Sequence, residues 1–178
     1  MFNRRHFLSG LAATSISSLT FAQQAFPSKP IRILVPFGAG GVADLTARAV
    51  GERLAERLGQ SVVIDNRPSA GGIVAGDLVA KAEPDGHTLL FATSTFATHA
   101  AIAPRLPYDP IKDFKPVAPI GRGPLLLVAS QQSGIRTVAD LLAQGKSRPQ
   151  GLNFCSAGEG SINHLAGELL AQKTGLKM

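Results

Sequence analysis

The chain of 178 residues has one cysteine, no tryptophan and one tyrosine. Because Cys155 is alone, it cannot form an internal disulfide bond, and histidine and cysteine are nowhere spaced as a zinc site requires. Cys155 itself is expected as a small buried residue at the end of a strand. Without tryptophan, the sequence offers no aromatic platform on which nucleic-acid bases could stack. The composition thus excludes a disulfide-stabilised scaffold and gives no support to a zinc or nucleic-acid-binding domain.

Acidic residues are also few, with 12 Asp and Glu against 18 Lys and Arg, which gives a formal net charge of +6. The basic residues are scattered, whereas nucleic-acid-binding segments usually carry them in consecutive runs. A mildly basic average suits an anionic small ligand without requiring one.

A long hydrophobic run is missing too, because the apolar core Phe7–Leu19 is too short and too rich in Ser, Thr and Gly to span a bilayer. Residues 1–22 have the pattern of an export signal, in which the pair Arg4-Arg5 precedes this core and cleavage is expected near Ala22. The arginine pair resembles the twin-arginine export signature, and the general secretory route stays open. Cleavage would lower the net charge by two, from +6 to +4, and leave the mature protein free in the periplasm.

Beyond Pro27 the sequence alternates predicted strands and helices, a pattern typical of α/β proteins with a mostly parallel sheet. The first unit is a strand over Ile31–Val35, a Gly-rich turn and a helix over about Val42–Leu58 that Gly59 ends. The apolar face of this helix is expected to include Leu45, Ala49, Leu54 and Leu58. The other predicted strands are Val62–Ile64, Thr88–Ala92 and Leu152–Cys155, and the other predicted helices are about Ile73–Ala82, Val138–Gln144 and Ile162–Thr174.

The same alternation predicts the domain organisation. We expect an export signal over residues 1–22, a first α/β domain over 27–118 and a partial second α/β domain over 119–178. The second domain holds only about 60 residues and stops just after a helix, where a strand–helix unit normally returns to a strand. We therefore expect a truncated product or a fragment with an incomplete, weakly binding cleft.

The turn between the first strand and helix, Pro36–Asp44, is the most informative stretch. Its glycines expose backbone N–H groups at a helix N-terminus, where the unpaired donors and the helix dipole stabilise a carboxylate or phosphate. Asp44 has two interpretations, namely a complement to the helix dipole or a ligand contact made through an amine, a metal or a bridging water. The hydroxyl-rich loop Thr93–Thr95, at the end of the third strand, also suits ligand contact.

Five motifs follow one another behind the export signal. They are Pro36-Phe37-x-Ala39-Gly40-Gly41-x-x-Asp44, Gly59-Gln60-x-Val62-Val63-x-x-Asn66-Arg67-Pro68-x-Ala70-Gly71-Gly72, Pro84-Asp85-Gly86-x-Thr88-Leu89-Leu90, Leu106-Pro107-Tyr108-Asp109-Pro110-x-Lys112-Asp113-Phe114 and Leu152-Asn153-Phe154-x-Ser156-Ala157-Gly158-x-Gly160. Together, from Pro27 to the last residue, they resemble the Bug-type extracytoplasmic solute receptors of the tripartite tricarboxylate transporter systems. Each motif alone is weak, but five in this order are specific.

The resemblance implies a fold similar to type II periplasmic binding proteins, in which two α/β domains close on a ligand. It implies a non-enzymatic, monomeric receptor that captures a small carboxylate without a cofactor or metal and delivers it to the membrane subunits of a transporter. The residues that would bind the ligand are Phe37, Ala39, Gly40, Gly41, Asp44, Ser94 and Thr95 in the first domain and Ser156, Ala157, Gly158 and Ser161 in the second. The chain departs from the family pattern at His99, Ala103 and Cys155.

Other interpretations remain beside this one. The spacing Gly38-x-Gly40-x-x-Ala43, followed by Asp65 at the next strand end, is that of a dinucleotide-binding oxidoreductase. A hydrolase fits less well, because Ser94 and Ser161 lack a Gly-x-Ser-x-Gly elbow. His164 and Glu168 share a helix face, but two ligands do not make a metal site. A non-functional fragment is the last alternative.

Overall fold

The computed structural model describes residues 25–103 and 105–178. The expected export signal and its cleavage near Ala22 lie outside the described residues. Within the described part, no helix combines the length and apolar character that crossing a membrane requires.

Three parallel strands form the sheet: β1 (Ile31–Val35), β2 (Val62–Asn66) and β3 (Thr88–Leu90), in the order β2-β1-β3. In register, Ile33 of β1 lies beside Ile64 of β2 on one side and Leu89 of β3 on the other. The bounds of β1 are as predicted, whereas β2 continues two residues past Ile64 and β3 ends two residues before Ala92. The predicted α/β class with a parallel sheet is confirmed.

The central position of β1 follows from its composition. Four of its five residues are apolar and buried, which is typical of parallel strands covered on both faces. Ile31, Ile33 and Val35 form one core cluster with Ala47, and flanking side chains such as Leu54, Ile64 and Leu89 pack against it.

Helix α1 (Val42–Leu58) has the predicted bounds and ends at Gly59 in the left-handed conformation, but of its predicted apolar face only Leu54 packs against the core. Leu45 is 59% exposed, and the buried residues are Asp44, Ala47 and Gly51. The reason is close packing on β2, since a Cβ built on Gly51 would lie 3.2 Å from Val62. Small residues, rather than the leucines, let the helix approach the sheet.

The remaining helices are α2 (Ile73–Ala80), α3 (Ser94–Ile102), α4 (Val138–Ser147) and α5 (Ile162–Thr174). α2 is two residues shorter than predicted and α4 three residues longer, whereas α5 has the predicted bounds. Two expectations are wrong. The segment Thr93–Thr95 is the start of α3 rather than a loop, and no strand forms at Leu152–Cys155, where Cys155 is exposed.

The second half of the described chain has a small core of its own. Leu141 of α4, Leu152 and Leu176 are buried together, and the Leu152 amide donates to the Lys177 carbonyl at 2.9 Å. Between the two cores, residues 115–129 form no helix or strand and are exposed throughout.

Several residues of the sequence motifs pack closely against one another in the first half of the described chain. Gly76 of α2 lies against Tyr108, whose ring stacks on Phe96 at a centroid distance of 6.0 Å and meets Phe114 edge-on at 5.3 Å. Asp109 accepts hydrogen bonds from the amides of two residues that follow it, at 2.9 and 3.0 Å. The fourth motif therefore builds an aromatic cluster and the turn beside it.

Gly76 gives a test of this packing. A Cβ at Gly76 would lie 2.7 Å from the Tyr108 ring, which its aromatic neighbours hold in place, so we expect Gly76→Val to lower the free energy of unfolding by about 1–3 kcal/mol. Gly123→Val, in open space, is the matched control and should change it little. Urea unfolding measures both variants. Equal midpoints for the two would contradict the close contact.

Candidate functional site

The sheet order marks one edge of the sheet as a binding region. The chain runs from β1 outward to β2 and then crosses back to β3 on the other side of β1. Since such crossovers are right-handed, the helices after β1 and β2 lie on opposite faces, and a crevice opens beyond the carboxyl ends of β1 and β3. Residues 36–41 and 91–93 follow those two ends, so the topology selects the two first-domain loops that the sequence indicated.

The loop after β1 leaves the start of α1 accessible. Gly38, Ala39, Gly40 and Gly41 are exposed, and Phe37 is half-buried. Gly41 is the N-cap of α1 and provides no side-chain cap, because it has no side chain to accept from the first amides. The first N–H groups of α1 therefore have no side-chain cap, which leaves them available to an anion.

Asp44 holds this loop in shape. It is 2% exposed, and its Oδ2 accepts from the Gly40 amide at 2.8 Å and from Arg48 Nε at 3.0 Å. Oδ1 lies 3.0 Å from Arg48 Nη2. These hydrogen bonds, first that of Arg48 and then that of Gly40, lower the pKa of Asp44 from 3.8 to about 2. The geometry gives Asp44 a structural role through Oδ2, whereas the buried Oδ1 has the ion pair with Arg48 and no hydrogen bond among the described residues.

Arg48 and Asn66 complete the support of the loop. Arg48 Nη2 donates to Asn66 Oδ1 at 3.2 Å, and Asn66 Nδ2 donates to the Phe37 carbonyl at 3.1 Å. The network thus returns to the loop at Phe37, two residues after the end of β1. Sequence reasoning missed both partners; the spacing of four residues between Asp44 and Arg48 on a helix is the signal that could have found the first.

The hydroxyl groups at the start of α3 differ in accessibility. Ser94 is exposed at the first turn, whereas Thr95 is 5% exposed. Thr93 is the N-cap but its side chain caps no amide, and its buried Oγ1 has no hydrogen-bond partner in the described part of the chain. Ser94 is therefore the hydroxyl of this predicted set that a ligand can reach directly.

The loop before α5 provides the second-domain residues. Ser156, Ala157 and Gly158 are exposed, and the Gly158 amide donates to Ser156 Oγ at 3.3 Å. Ser161 is 1% exposed and is the N-cap of α5, where its Oγ accepts from the His164 amide at 3.2 Å. Ser161 thus has a structural role, and the exposed part of the loop lies at residues 155–159, which include the carboxylate of Glu159.

Helix α3 connects the two candidate loops. Thr98 Oγ1 donates to the Gly160 carbonyl at 2.6 Å. His99, 9% exposed, lies beside both Gly71 and Gly160, and a Cβ on either glycine would come within 3 Å of its Nε2. This Nε2 has no hydrogen-bond partner among the described residues. The sequence marked His99 only as a departure from the family pattern and did not predict this position between the loops.

Asp65, the acidic residue of the dinucleotide-binding interpretation, is occupied within the protein. Its carboxylate accepts from Arg32 and, at 2.9 Å, from Arg67 Nε. Burial would raise the pKa of Asp65, but the hydrogen bonds with both arginines outweigh it and hold the pKa below its usual value. The residue has two cationic partners already, so it is poorly placed to accept from a ribose hydroxyl.

Two other features lie apart from the candidate loops. An open groove of about 320 Å³ lies between α1 and β2, but it contains none of the predicted site residues. In the described part of the chain, no three His, Cys, Asp or Glu residues come together as a metal site requires. His164 Nε2 lies 3.6 Å from Glu168 Oε1, as the helix spacing indicated; Glu168 is exposed, and His164 is half-buried against the Phe154 ring.

Residues 46–178 match the family model described as tripartite tricarboxylate transporter family receptor. A UPF0065 protein in the tcbD-tcbE intergenic region of Pseudomonas sp. strain P51 is 41% identical over 177 residues, which cover 98% of this chain and 53% of that protein. Protein BugT of Bordetella pertussis is 36% identical over 165 residues, covering 92% of this chain and 51% of BugT. The chain therefore spans about half the length of these relatives.

Solved structures also match nearly all of this chain with about half of their own length. R. palustris Rpa4515 with adipate is 37% identical, with a TM-score of 0.82 over 86% of this chain and 52% of that one. MatC (Rpa3494) from Rhodopseudomonas palustris with bound malate is 35% identical, with a TM-score of 0.76 over 85% of this chain and 52% of that one. The α/β fold matches these structures over about half their length.

The engaged state of Asp44 gives a prediction. Its folded pKa of about 2 lies below the usual 3.8, so its contribution to stability is present above about pH 4 and is lost as pH falls towards 2. Asp44→Asn should therefore lower the free energy of unfolding at pH 7, and the deficit should shrink between pH 4 and 2. Glu56→Gln, which removes an exposed carboxylate paired with Arg53 on the same helix, is the control. Denaturant unfolding across this pH range measures both, and a pH-independent deficit for Asp44→Asn would contradict the assignment.

Proposed function

The chain belongs to the tripartite tricarboxylate transporter receptor family, and from that premise we propose that it forms a carboxylate-binding site of a periplasmic solute receptor. The family is one of receptors, so the chain is neither an oxidoreductase nor a hydrolase. The observation that carries the proposal is the uncapped, glycine-rich start of α1 at the crevice beyond β1 and β3.

In this proposal one ligand carboxylate binds the first amides of α1 and the exposed hydroxyl of Ser94. The helix dipole contributes roughly 0.3–1 kcal/mol, and each charge-assisted hydrogen bond about 1.5–3 kcal/mol, so the hydrogen bonds supply most of the affinity. Arg48 is not a ligand cation here, because it already balances Asp44. Recognition through backbone amides and hydroxyls is the expected result, with Phe37, Ala39, Gly40 and Gly41 lining the contact.

We propose that the exposed loop 156–158 faces this first site from a second α/β domain. The division into residues 27–118 and 119–178 is part of the proposal, and the two separate cores support it. Thr95, Ser161 and Asp44 then act by holding their loops, since all three side chains are buried. His99, between the loops, is the added residue that the ligand would approach.

The ligand class is a small dicarboxylate. Two similar structures are described with adipate and with malate, which share two carboxylates on a short carbon chain. Two carboxylates suit two anion-binding loops, one on each domain. Delivery to transporter membrane subunits, a monomeric state and a periplasmic location after removal of residues 1–22 complete the proposal.

A thermal-shift titration with adipate and malate tests this function. Binding to the native state raises Tm progressively once ligand exceeds Kd; because the cleft is expected to bind weakly, we expect that rise only at high concentrations of a dicarboxylate. A nicotinamide dinucleotide is the comparison ligand and should leave Tm unchanged. A rise with the dinucleotide alone, or no rise with either dicarboxylate up to millimolar concentration, would contradict the proposal.

Ser94 gives a second test. Loss of one hydroxyl donor to a carboxylate costs about 1.5–3 kcal/mol, so Ser94→Ala should raise Kd roughly 10- to 100-fold in a calorimetric titration. Ser147→Ala, which removes an exposed hydroxyl near the end of α4, is the matched control and should leave Kd unchanged. Equal Kd values for the two variants would remove Ser94 from the site.

A further inference from the structure

The segment that precedes β1 is held on the turn that precedes β3. The Ser28 amide donates to His87 Nε2 at 3.2 Å, across 59 residues of sequence. The rings of Phe26 and His87 lie 4.9 Å apart, measured between their centroids, at an angle of 56°. Residues 26–29 and the turn of residues 83–87 are together called here the N-terminal clasp.

A charged pair lies beside the His87 ring. Lys29 Nζ is 2.7 Å from Asp85 Oδ2 and 3.6 Å from Glu83 Oε2. The hydrogen bond from Lys29, followed by that from the His87 amide, lowers the pKa of Asp85 from 3.8 to about 2. The same hydrogen bond with Asp85 raises the pKa of Lys29. Lys29 and Asp85 therefore both stay charged between pH 5 and 8, and their charges offset each other.

The clasp joins the amino ends of β1 and β3. The Arg32 amide of β1 donates to the His87 carbonyl at 2.7 Å, and the guanidinium of Arg32 is paired with Asp65 on β2. The candidate loops follow the opposite, carboxyl ends of the same strands. The clasp is thus separate from the proposed carboxylate site, and its behaviour can be measured without a ligand.

The contact with Ser28 requires a neutral imidazole. Because His87 Nε2 accepts from the Ser28 amide, the ring proton is assigned to Nδ1, which lies 3.3 Å from Asp85 Oδ1 and has no hydrogen-bond partner among the described residues. A charged imidazole carries N–H groups at both nitrogens and cannot accept from an amide. The ring is also 6% exposed, and burial opposes a charge that gains no full partner.

We propose that the N-terminal clasp is a pH-sensitive device, which is closed while His87 is neutral and is released when the ring takes up a proton. Asp85 attracts a charged ring, but Lys29 already compensates its charge. The clasp is therefore closed near neutral pH and opens as pH falls through the range in which imidazole groups ordinarily gain their charge. Residues 26–29 are then free, while the core around β1 stays intact.

Amide hydrogen exchange of the full chain, resolved at single residues by NMR, tests the device. Ser28 is exposed, so its hydrogen bond to His87 is the source of its protection. After correction for intrinsic rates, we expect protection at pH 7.5 that falls about fivefold at pH 5.5, as loss of one hydrogen bond predicts. The Arg67 amide, bonded to the Val35 carbonyl at 2.8 Å, is the reference and should stay protected. Equal protection of Ser28 at both pH values, or none at pH 7.5, would overturn the proposal.

Three variants assign the effect to the clasp. His87→Gln supplies an amide oxygen that can accept at any pH, so protection of Ser28 should no longer depend on pH. Gly86→Ala places a Cβ 3.1 Å from the Phe26 ring at a φ of +83°, so protection at pH 7.5 should fall to the level seen at pH 5.5. His164→Gln is the matched control outside the clasp and should keep the pH dependence. A dependence that persists in His87→Gln or disappears in His164→Gln, or full protection in Gly86→Ala, would overturn the assignment.

Discussion

One buried carboxylate sets the geometry on which the candidate site depends. Asp44 accepts hydrogen bonds from the Gly40 amide, in the loop before α1, and from Arg48, one turn further along α1. The carboxylate therefore links the glycine-rich loop to α1. Glycines alone would give a loop with many conformations, because they restrict the backbone least. The ion pair selects one of these conformations and leaves the helix N-terminus open at the end of β1. Binding would then require little ordering of the loop, which lowers the entropic cost of recognition.

Local patterns predicted the elements whose stability is decided locally. β1 has the expected bounds because it is a short apolar run. α1 and α5 have the expected bounds because each begins after a turn and ends at a glycine, Gly59 and Gly175. Most of the predicted apolar face of α1 is exposed, with Leu54 as the exception, because Gly51 lets the helix contact β2 along a different side. The strand predicted at Leu152–Cys155 failed for another reason, since a strand forms only with a neighbour and the described chain offers none there. Family resemblance, rather than periodicity, identified the receptor.

Most motif residues stabilise the fold by allowing close packing or by holding a turn. Gly71 makes room for His99 and Gly72 for Pro36, and Asp85 accepts from the His87 amide to hold a turn. Gly71 and Gly72 follow β2 on the carboxyl side of the sheet, whereas the Asp85 turn precedes β3 on the opposite side. Sequence reasoning selected two first-domain loops that the structure places at the carboxyl edge of the parallel sheet, where both tight turns and ligands occur. It could not separate Ser94, which is exposed, from Thr95 beside it, because their burial depends on how α3 packs.

The aromatic cluster has a practical consequence for spectroscopy. Tyr108 is the single tyrosine of a chain without tryptophan, so its fluorescence is not lost by energy transfer to an indole ring. Its ring stacks on Phe96 of α3, the helix that also bonds to Gly160 through Thr98. A shift of α3 relative to either loop would alter the surroundings of this one fluorophore. The protein thus carries a native optical probe at the junction between its two halves, with no label to introduce.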